Sequence, residues 1–393
     1  MNAWEPGTPV ESNVYNHDGN PVVHAATTEP RKSDRVIVDL FSGCGGFSVG
    51  FSAAGFAPLL GIDVHAPSVE TYRANHPTSA AILGDIRMID TDIALSLLGG
   101  RTVDVVTAGV PCQGFSRTNR KRWDGDERNF LFREFIRFIQ VLQPHAVVLE
   151  NVSGIRSAAN GSFVRDISES IEASGYRVEA QVLNAADYGV PQKRQRAFFV
   201  GFRDGFAFQW PVPKFGESGA PHRTVHDAIG DLPALAPGEQ RDHYESDPRC
   251  EYQRLMRGDC RILSNHRAPS HPSDVIQRIE QTAQGEPMYP KFRQRIRLHD
   301  QLPSPTQVCG GIRPQFQFGH PNQPRGLSIR ERARIQSFPD AFAFSGGLTQ
   351  GRVQTGNAVP PLLAQAIAES IRDALDGISP SFRGSVSQLS LLR

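Results

Sequence analysis

The stretch RVIVDLFSGCGG, residues 35–46, decides the fold of this chain. Residues 35–41 form an apolar run with the length and β-branched content of a buried strand. A glycine-rich turn follows, and the apolar segment 47–54 then predicts a helix. A strand, a glycine turn and a helix amino terminus form a cradle for a nucleotide-like ligand. The dinucleotide fingerprint needs a third glycine at position 48, where the chain has Ser48, so NAD is disfavoured.

Apolar runs and helical patterns alternate after this stretch, which indicates an α/β fold. The runs 177–183 and 197–202 predict an antiparallel pair, which makes the sheet mixed rather than fully parallel. The other predicted strands cover residues 57–62, 80–83, 104–107 and 146–149, and the helices that accompany the sheet cover residues 67–75, 129–142 and 163–173.

Residues suited to binding or catalysis follow several of these strands, and reactive groups collect at the carboxyl ends of strands in an open sheet. Asp63 stands where a ribose hydroxyl pair is usually held, although an acid is also common in turns. Cys112 follows a Gly-Val-Pro sequence and is either one more buried cysteine or a nucleophile. Glu150 directly follows four apolar residues and is either a salt-bridged structural acid or a partly buried proton donor.

The totals restrict the class of protein. A length of 393 residues suggests one large and one small domain, and 39% hydrophobic content is enough for a core. The net charge of +1 gives no support to nucleic-acid binding. The basic residues nevertheless cluster, and each cluster is either a solvated face or a phosphate contact. The clusters lie at residues 117–122, 193–196, 291–297 and 325–334.

Five cysteines without a recognisable spacing predict neither a disulfide framework nor a zinc site. The polar start of the chain has no secretion signal, and no apolar run is long enough to cross a membrane. We therefore expect a reducing cytoplasmic setting, associated with the nucleoid in a bacterium, and no membrane partner.

The composition also predicts the domain boundaries. Residues 1–33 are expected to be a flexible tail, and residues 34–203 a catalytic domain that residues 345–377 complete. Proline, arginine, histidine and glutamine rise in residues 204–344, which predicts a smaller, loop-rich module. Residues 378–393 read as a second tail, and the long polar loop 113–128 reads as a lid. Helices are predicted at 224–229, 273–281, 328–336 and 362–375.

Several short motifs stand in one order along the chain, from 39–46 through 84–86, 111–113, 150–152, 192–196, 325–328 and 336–339 to 356–360. With this set the chain resembles the cytosine-5 methyltransferases that use S-adenosylmethionine, over nearly all of residues 35–375. Two departures are mild, because neither removes a reacting group. Val110 stands where that family usually has Phe or Pro, and Asp63 where it commonly has Glu.

The resemblance implies a Rossmann-like methyltransferase fold, with a mixed sheet, helices on both faces and a smaller target-recognition domain. It implies transfer of a methyl group from S-adenosylmethionine to carbon 5 of a flipped-out cytosine in double-stranded DNA. Cys112 would add to carbon 6, and Glu150 would grip the ring at N3. Arg194 and Arg196 would contact the ring oxygen and the nucleophile loop, with Arg196 favoured as the base contact.

The resemblance also assigns binding residues. The methyl-donor pocket would be formed by Phe41, Gly43, Gly45, Asp63, Asp85, Ile86, Pro111, Asn357 and Val359, and the DNA contacts by Ser116, Arg117, Arg120, Gln192 and Thr306. No metal is expected. The expected partners are double-stranded DNA, bound by a monomer, and a restriction endonuclease that acts separately.

Two other functions stay open at this stage. A tRNA cytosine-5 methyltransferase keeps the same catalytic set, since basic loops serve either polymer. A catalytically silent DNA-binding relative would show a damaged Cys112, Glu150 or arginine set, and these residues are intact. Methylation of an exocyclic amine is disfavoured, because that reaction needs no cysteine nucleophile and the chain has the Pro-Cys-Gln segment 111–113.

Overall fold

The computed structural model describes residues 20–29, 31, 34–111, 129–156, 162–203, 205–217, 219–309 and 317–377. In this part of the chain the centre of the molecule is an eight-stranded sheet with the strand order β1-β4-β3-β2-β5-β6-β9-β7. Its strands are β1 (Val22–His24), β2 (Arg35–Leu40), β3 (Phe56–Asp63), β4 (Ala80–Leu83), β5 (Val105–Gly109), β6 (Ala146–Val152), β7 (Arg177–Asn184) and β9 (Gln195–Phe202). Two short strands, β8 (Gln192–Lys193) and β10 (Ser304–Pro305), pair in parallel outside it.

The sheet is mixed, as the sequence predicts. Strands β4, β3, β2, β5 and β6 run parallel to one another, whereas β1 lies antiparallel to β4 and β9 lies antiparallel to both β6 and β7. The parallel strands read as continuous apolar runs because helices cover both of their faces.

Helices flank the sheet on both sides, which confirms the predicted fold class. On one face, α1 (Gly46–Ala53) and α11 (Pro361–Leu375) pack a core that includes Phe51 and Ile367. On the other, α4 (Asn129–Leu142) and α5 (Ser162–Ala173) bury Phe135 and Ile171. Successive side chains of β2 point to opposite faces of the sheet. Val36, Val38 and Leu40 belong to the core beside α4 and α5, and Ile37 belongs to the core beside α1 and α11.

The remaining helices are α2 (Ala66–Asn75), α3 (Thr91–Leu98), α6 (Val225–Ile229), α7 (Glu251–Arg257), α8 (Ser273–Gln281), α9 (Ile329–Ile335) and α10 (Leu348–Asn357). Three of these helices, α3, α7 and α10, are not predicted by the sequence pattern. Helix α10 contains two glycines, which ordinarily weaken a helix. One of them, Gly351, has no room for a side chain, because an added Cβ would lie 2.7 Å from Ile329.

The module between β9 and α10 has a core of its own, in which Val225, Tyr252 and Leu298 are buried. Ion pairs in this module are buried as well. Arg325 binds Glu331 at 2.6 Å, and Arg334 binds both Asp231 at 2.7 Å and Asp340 at 2.6 Å. Buried charges need such partners to offset lost hydration.

The basic cluster 325–334 is therefore neither a solvated face nor a phosphate-binding surface. Arg325, Arg330, Arg332 and Arg334 are each at most 3% exposed. The side chains of this cluster point into the protein, although four of the five residues from Arg330 to Arg334 are charged. Sequence clustering alone does not show which way such side chains point.

The predicted flexible tail, residues 1–33, is wrong for the segment that forms β1. Val22–His24 pair antiparallel with β4, so that Val22 lies opposite Leu83. The amides of Thr27 and Thr28 also donate to the carbonyl of Pro77. A three-residue edge strand has too little apolar periodicity to be recognised in a polar sequence.

No helix in the described part of the chain is long and apolar enough to cross a membrane. The four cysteines that the structure describes, Cys44, Cys250, Cys260 and Cys309, are all free thiols.

The contact between β1 and the end of β4 generates a prediction. A Cβ on Gly84 would lie 3.0 Å from the Cβ of Pro21. Gly84→Ala should lower the free energy of unfolding of the full chain by about 1–3 kcal/mol, because overpacking forces a shift. In a chain that begins at residue 30 the same change should be neutral or stabilising by about 0.5 kcal/mol.

Denaturant unfolding of both chains measures the difference. Gly347→Ala is the control, since an added Cβ there meets no atom within 4 Å. An equal cost of Gly84→Ala in the full and the shortened chain would contradict the packing of β1 on this turn.

Candidate active site

The carboxyl ends of four neighbouring strands bring the predicted site residues together. Leu40 pairs with Ile62 and Ala108, and Ala108 pairs with Leu149. The next position along each strand therefore forms one row across the sheet, which consists of Asp63, Phe41, Gly109 and Glu150. A Cβ on Gly109 would lie 3.8 Å from the carbonyl of Phe41 and 4.0 Å from Oε2 of Glu150. The turn after β2, the end of β5 and the Glu150 carboxylate thus meet at one point.

The glycine turn after β2 is held in an unusual backbone conformation. Phe41 has a positive φ of 55°, and Gly43 and Gly45 follow with 55° and 99°. Positive φ is uncommon for a residue with a side chain and is found at functional sites. A Cβ on Gly45 would also lie 2.5 Å from His76. Glycine is required at position 45 on both grounds.

Asp63 fastens this turn to the end of β3. Its two carboxylate oxygens accept the amides of Gly43 and His65, each at 2.8 Å. Burial raises the pKa of Asp63, although these hydrogen bonds favour the charged form. The sequence analysis expected Asp63 to face a ligand, and the structure gives it a structural role in the turn as well.

The turn after β4 lies next to Asp63, because the amide of Gly84 donates to the Asp63 carbonyl. Ile86 is buried, whereas Asp85 is half-buried and paired with Arg87. Partial burial opposes ionisation of Asp85, but the Arg87 hydrogen bonds hold its pKa below the ordinary value. An ionised acid and a buried apolar side chain thus follow β4, next to the strand end that carries Asp63.

The segment before α11 closes the same region from the far end of the chain. A Cβ on Gly46 would lie 2.3 Å from the Val359 carbonyl, so the two backbones are in contact. Val359 itself is buried and belongs to the core that α1 and α11 form with the sheet. Asn357, at the end of α10, is exposed.

A buried acid that the sequence analysis did not select lies beneath the glycine turn. Asp39 is 1% exposed and accepts hydrogen bonds from Ser48 in α1 and Thr107 in β5, each at 2.8 Å. The Ser48 hydroxyl also lies 3.2 Å from that of Tyr72. Burial raises the pKa of Asp39 to about 7. The signal in the sequence was an acid within an apolar strand, which needs buried partners.

The polar residues at the end of β6 hold the segment that leads to Cys112. The Asn151 side chain donates to the carbonyl of Val110 at 3.4 Å. Glu150 is paired with Arg196 of β9, with 2.8 Å between Oε1 and Nε. Both side chains stay partly accessible, at 10% and 14% exposure. The arrangement leaves an oriented carboxylate at the mouth of the site.

An open polar pocket of about 330 Å³ adjoins this ion pair. It lies where β6, β7 and β8 end and where the chain leaves β10. Lys193 and Arg196 give it positive charge, which suits a phosphate. Its lining consists of Ser153, Asn184, Lys193, Gln195, Arg196 and Thr306.

The comparisons with known proteins agree with this geometry. Residues 36–373 match the family model of the C-5 cytosine-specific DNA methylases. The chain belongs to this family. It is accordingly a DNA cytosine-5 methyltransferase, and the resemblance seen in the sequence is confirmed.

Individual relatives are similar over most of their length. The chain is 38% identical to the Type II methyltransferase M1.HphI of Haemophilus parahaemolyticus, over 85% of this chain and 86% of the relative. It is also 38% identical to the Type II methyltransferase M.DdeI of Desulfomicrobium norvegicum, over 85% and 88%. A solved structure of a prophage-encoded E. coli protein, assigned as a DNA modification methyltransferase, has a TM-score of 0.74 and 26% identity, over 87% of this chain and 99% of that one.

Two predicted contacts of the methyltransferase with its substrate are corrected by the structure. Gln192 is fully buried, and its side-chain amide donates to Gln336 at 2.9 Å, so it does not face DNA. Arg194 is 1% exposed and donates to the carbonyls of Gln307 and Gly356, each at 3.0 Å. The side-chain amide of Gln192 and the two amino groups of Arg194 are thus bonded within the protein, whereas Nε of Arg194 has no hydrogen-bond partner among the described residues.

Thr306 remains at the cleft, where it lines the pocket and donates to the Lys193 carbonyl. Pro111 is exposed. The predicted residues Cys112, Ser116, Arg117 and Arg120, and the lid 113–128, lie outside the described residues. Among the residues that are described, no group of three or more His, Cys, Asp or Glu side chains is arranged to hold a metal ion.

The buried Asp39 generates a pH-dependent prediction. Its pKa of about 7 in the folded state lies above the ordinary 3.8, so the native state holds the proton more tightly than the unfolded chain does. The contribution of Asp39 to stability is therefore present at low pH and is lost as the pH rises through this window. Asn cannot ionise. The loss in free energy of unfolding that Asp39→Asn causes should therefore be smaller at pH 8 than at pH 5, by about 1–3 kcal/mol.

Denaturant unfolding of both proteins at the two pH values measures this difference. Exposed Asp92→Asn, in the first turn of α3, serves as the matched control. A cost of Asp39→Asn that is the same at pH 5 and pH 8 would show that Asp39 is ionised throughout.

Proposed function

We propose that this methyltransferase transfers the methyl group of S-adenosylmethionine to carbon 5 of a flipped-out cytosine in double-stranded DNA, through a covalent adduct of Cys112. The observation that carries the proposal is the row of strand ends, in which Phe41, Gly109 and Glu150 meet. Cys112 follows Gly109 by three residues. The nucleophile, the acid and the glycine turn therefore belong to one site.

The residues after β2, β3 and β4 suit the methyl donor. The open glycine turn leaves room above its backbone, since a Cβ on Gly43 would meet no atom within 4 Å. Asp63 is in place for a ribose and Asp85 for a polar edge of the base, while Ile86 supplies an apolar surface. S-adenosylmethionine supplies an electrophilic methyl group when it is bound there.

The reacting residues compensate for the low nucleophilicity of cytosine carbon 5. The Cys112 thiolate adds to carbon 6, and the electron pair of the 5,6 double bond moves into the ring. The Glu150 carboxyl group donates a proton to N3 as negative charge builds there, and Arg196 holds that carboxyl group in place. Carbon 5 then attacks the methyl group, and S-adenosylhomocysteine leaves. A base such as water removes the proton from carbon 5, the 5,6 double bond re-forms, the Cys112 thiolate leaves carbon 6, and N3 returns its proton to Glu150.

A stacked base cannot reach this site, so the cytosine must leave the duplex at a cost of a few kcal/mol. The pocket beside Arg196, with Lys193 and Thr306, offers positive charge and polar groups for the strand next to the flipped nucleotide. The module of residues 204–344 is the part of the chain that we assign to recognition of the surrounding bases. We also infer a bacterial restriction-modification role beside a separately acting endonuclease, in line with the Type II names of the relatives.

Bisulfite sequencing tests the function directly. DNA from a methylation-free bacterial host that expresses the protein should contain protected cytosines in one recurring short context. The Cys112→Ala variant should give none, because the thiol makes the reactive intermediate. Cys260→Ala is the matched control, since this partly exposed thiol lies in the small module and should not affect protection.

Protection that persists in Cys112→Ala would refute the nucleophile. An absence of protected cytosines with soluble wild-type protein would refute DNA as the substrate. Transfer RNA, methylated by the same catalytic set, would then be the next polymer to assay.

A further inference from the structure

Three buried side-chain bridges join two segments that are far apart in sequence. One segment, Gln307 and Val308, follows Thr306 at the cleft pocket. The other, Thr355 and Gly356, directly precedes Asn357 at the donor side. The bridges are formed by Arg194, by Arg332 and by a pair of glutamines.

Arg194 makes the first bridge, since its two amino groups donate to the carbonyls of Gln307 and Gly356 at 3.0 Å. Arg332 makes the second. It donates to the Val308 carbonyl at 2.9 Å and to the Thr355 hydroxyl at 3.1 Å. Both ties use the planar fork of the guanidinium, which spans two acceptors in a fixed geometry.

The glutamine pair makes the third bridge. Gln192 accepts the Gln307 amide at 2.8 Å and donates to Gln336 at 2.9 Å. Gln336 in turn donates to the Thr355 carbonyl. The two segments are also in van der Waals contact, because a Cβ on Gly356 would lie 2.3 Å from the Cys309 amide nitrogen.

Two of these bridges are made by buried arginines that have no directly paired acid. Among the described residues, no carboxylate lies within salt-bridge distance of Arg194 or Arg332. Burial lowers the pKa of each guanidinium to about 9. Arg325 and Arg334, elsewhere in the same module, are paired with acids. The charge of Glu150 favours the charged form of Arg194, but a buried cation without a directly paired acid is still costly if it serves stability alone.

Arg194 also stands two residues before Arg196, which orients Glu150. Arg194 therefore connects Gln307 and Gly356 to the residue directly before β9, the strand that carries Arg196. Hydrogen bonds and the Arg196–Glu150 ion pair thus link the segment beside the pocket, the segment beside Asn357 and the carboxyl group of Glu150.

We propose that Arg194 is a positioning residue that, together with Arg332, couples occupancy of the donor pocket to occupancy of the DNA cleft. The inference rests on the proposed function, since it takes Asn357 and Thr306 as contacts of the donor and of DNA. The coupling factor is the ratio of the donor affinity with DNA bound to the donor affinity without DNA. Binding of the donor raises the affinity for DNA by the same factor.

Calorimetric titration with S-adenosylhomocysteine, with and without a duplex that carries the mapped target, measures this factor. We expect about tenfold for the wild type, within the usual range of coupling. Arg194→Lys keeps the charge but loses the fork, and it should bring the factor to within about twofold of one. Its affinity for S-adenosylhomocysteine alone should change by less than about threefold.

Thr355→Val is a second variant, to be used if Arg194→Lys does not fold. It removes the hydroxyl that accepts from Arg332 at nearly constant volume, and it should also lower the coupling factor between DNA and S-adenosylhomocysteine. Arg165→Lys, at an exposed position of α5 outside the small module, is the control and should keep the wild-type factor. A purely structural tie would lower the melting temperature and leave the factor unchanged.

An unchanged factor in the variants, or a wild-type factor of one, overturns the inference. Failure of the proposed function is recognised separately, because the wild type would then methylate no DNA.

Discussion

The parallel register of β3, β2, β5 and β6 is the constraint on which the site depends. It aligns Asp63, Phe41, Gly109 and Glu150 in one row at the carboxyl edge of the sheet. A shift of one residue in any of these strands would turn its terminal side chain to the opposite face. The apolar alternation that fills the two cores therefore also fixes the position of the residues to which we assign the reaction. Fold and site are consequences of the same pairing.

Buried polar groups fix the segments that follow the aligned strand ends. Asp39 ties α1 to β5 beneath the glycine turn, and Asn151 holds the carbonyl of Val110. Each bond fixes a segment that carries, or leads to, a predicted ligand contact or the proposed nucleophile. Such groups are costly when a partner is lost, so they allow few alternative arrangements. Buried hydrogen bonds within the protein therefore support the candidate site.

The predictable parts were those with strong local signals. Seven strands of the eight-stranded sheet, all but β1, follow from apolar runs, as do the glycine turn and the position of Glu150, and helices α4 and α8 have the predicted bounds. The directions of the basic side chains did not follow. Gln192, Arg194 and the cluster 325–334 are buried by contacts with residues more than a hundred positions away or by acids of the small module. Local sequence does not contain that information.

The central claim is that Cys112 and Glu150 act on one cytosine ring at the end of the sheet. A duplex with 5-fluorocytosine at the target tests it, because fluorine cannot leave as the proton does. With S-adenosylmethionine present, mass spectrometry should find one covalent complex, joined through Cys112 and carrying the methyl group. Glu150→Gln should slow its formation at least about a hundredfold, whereas exposed Glu172→Gln should not. A complex joined through another residue, or formed equally fast by Glu150→Gln, would contradict the account.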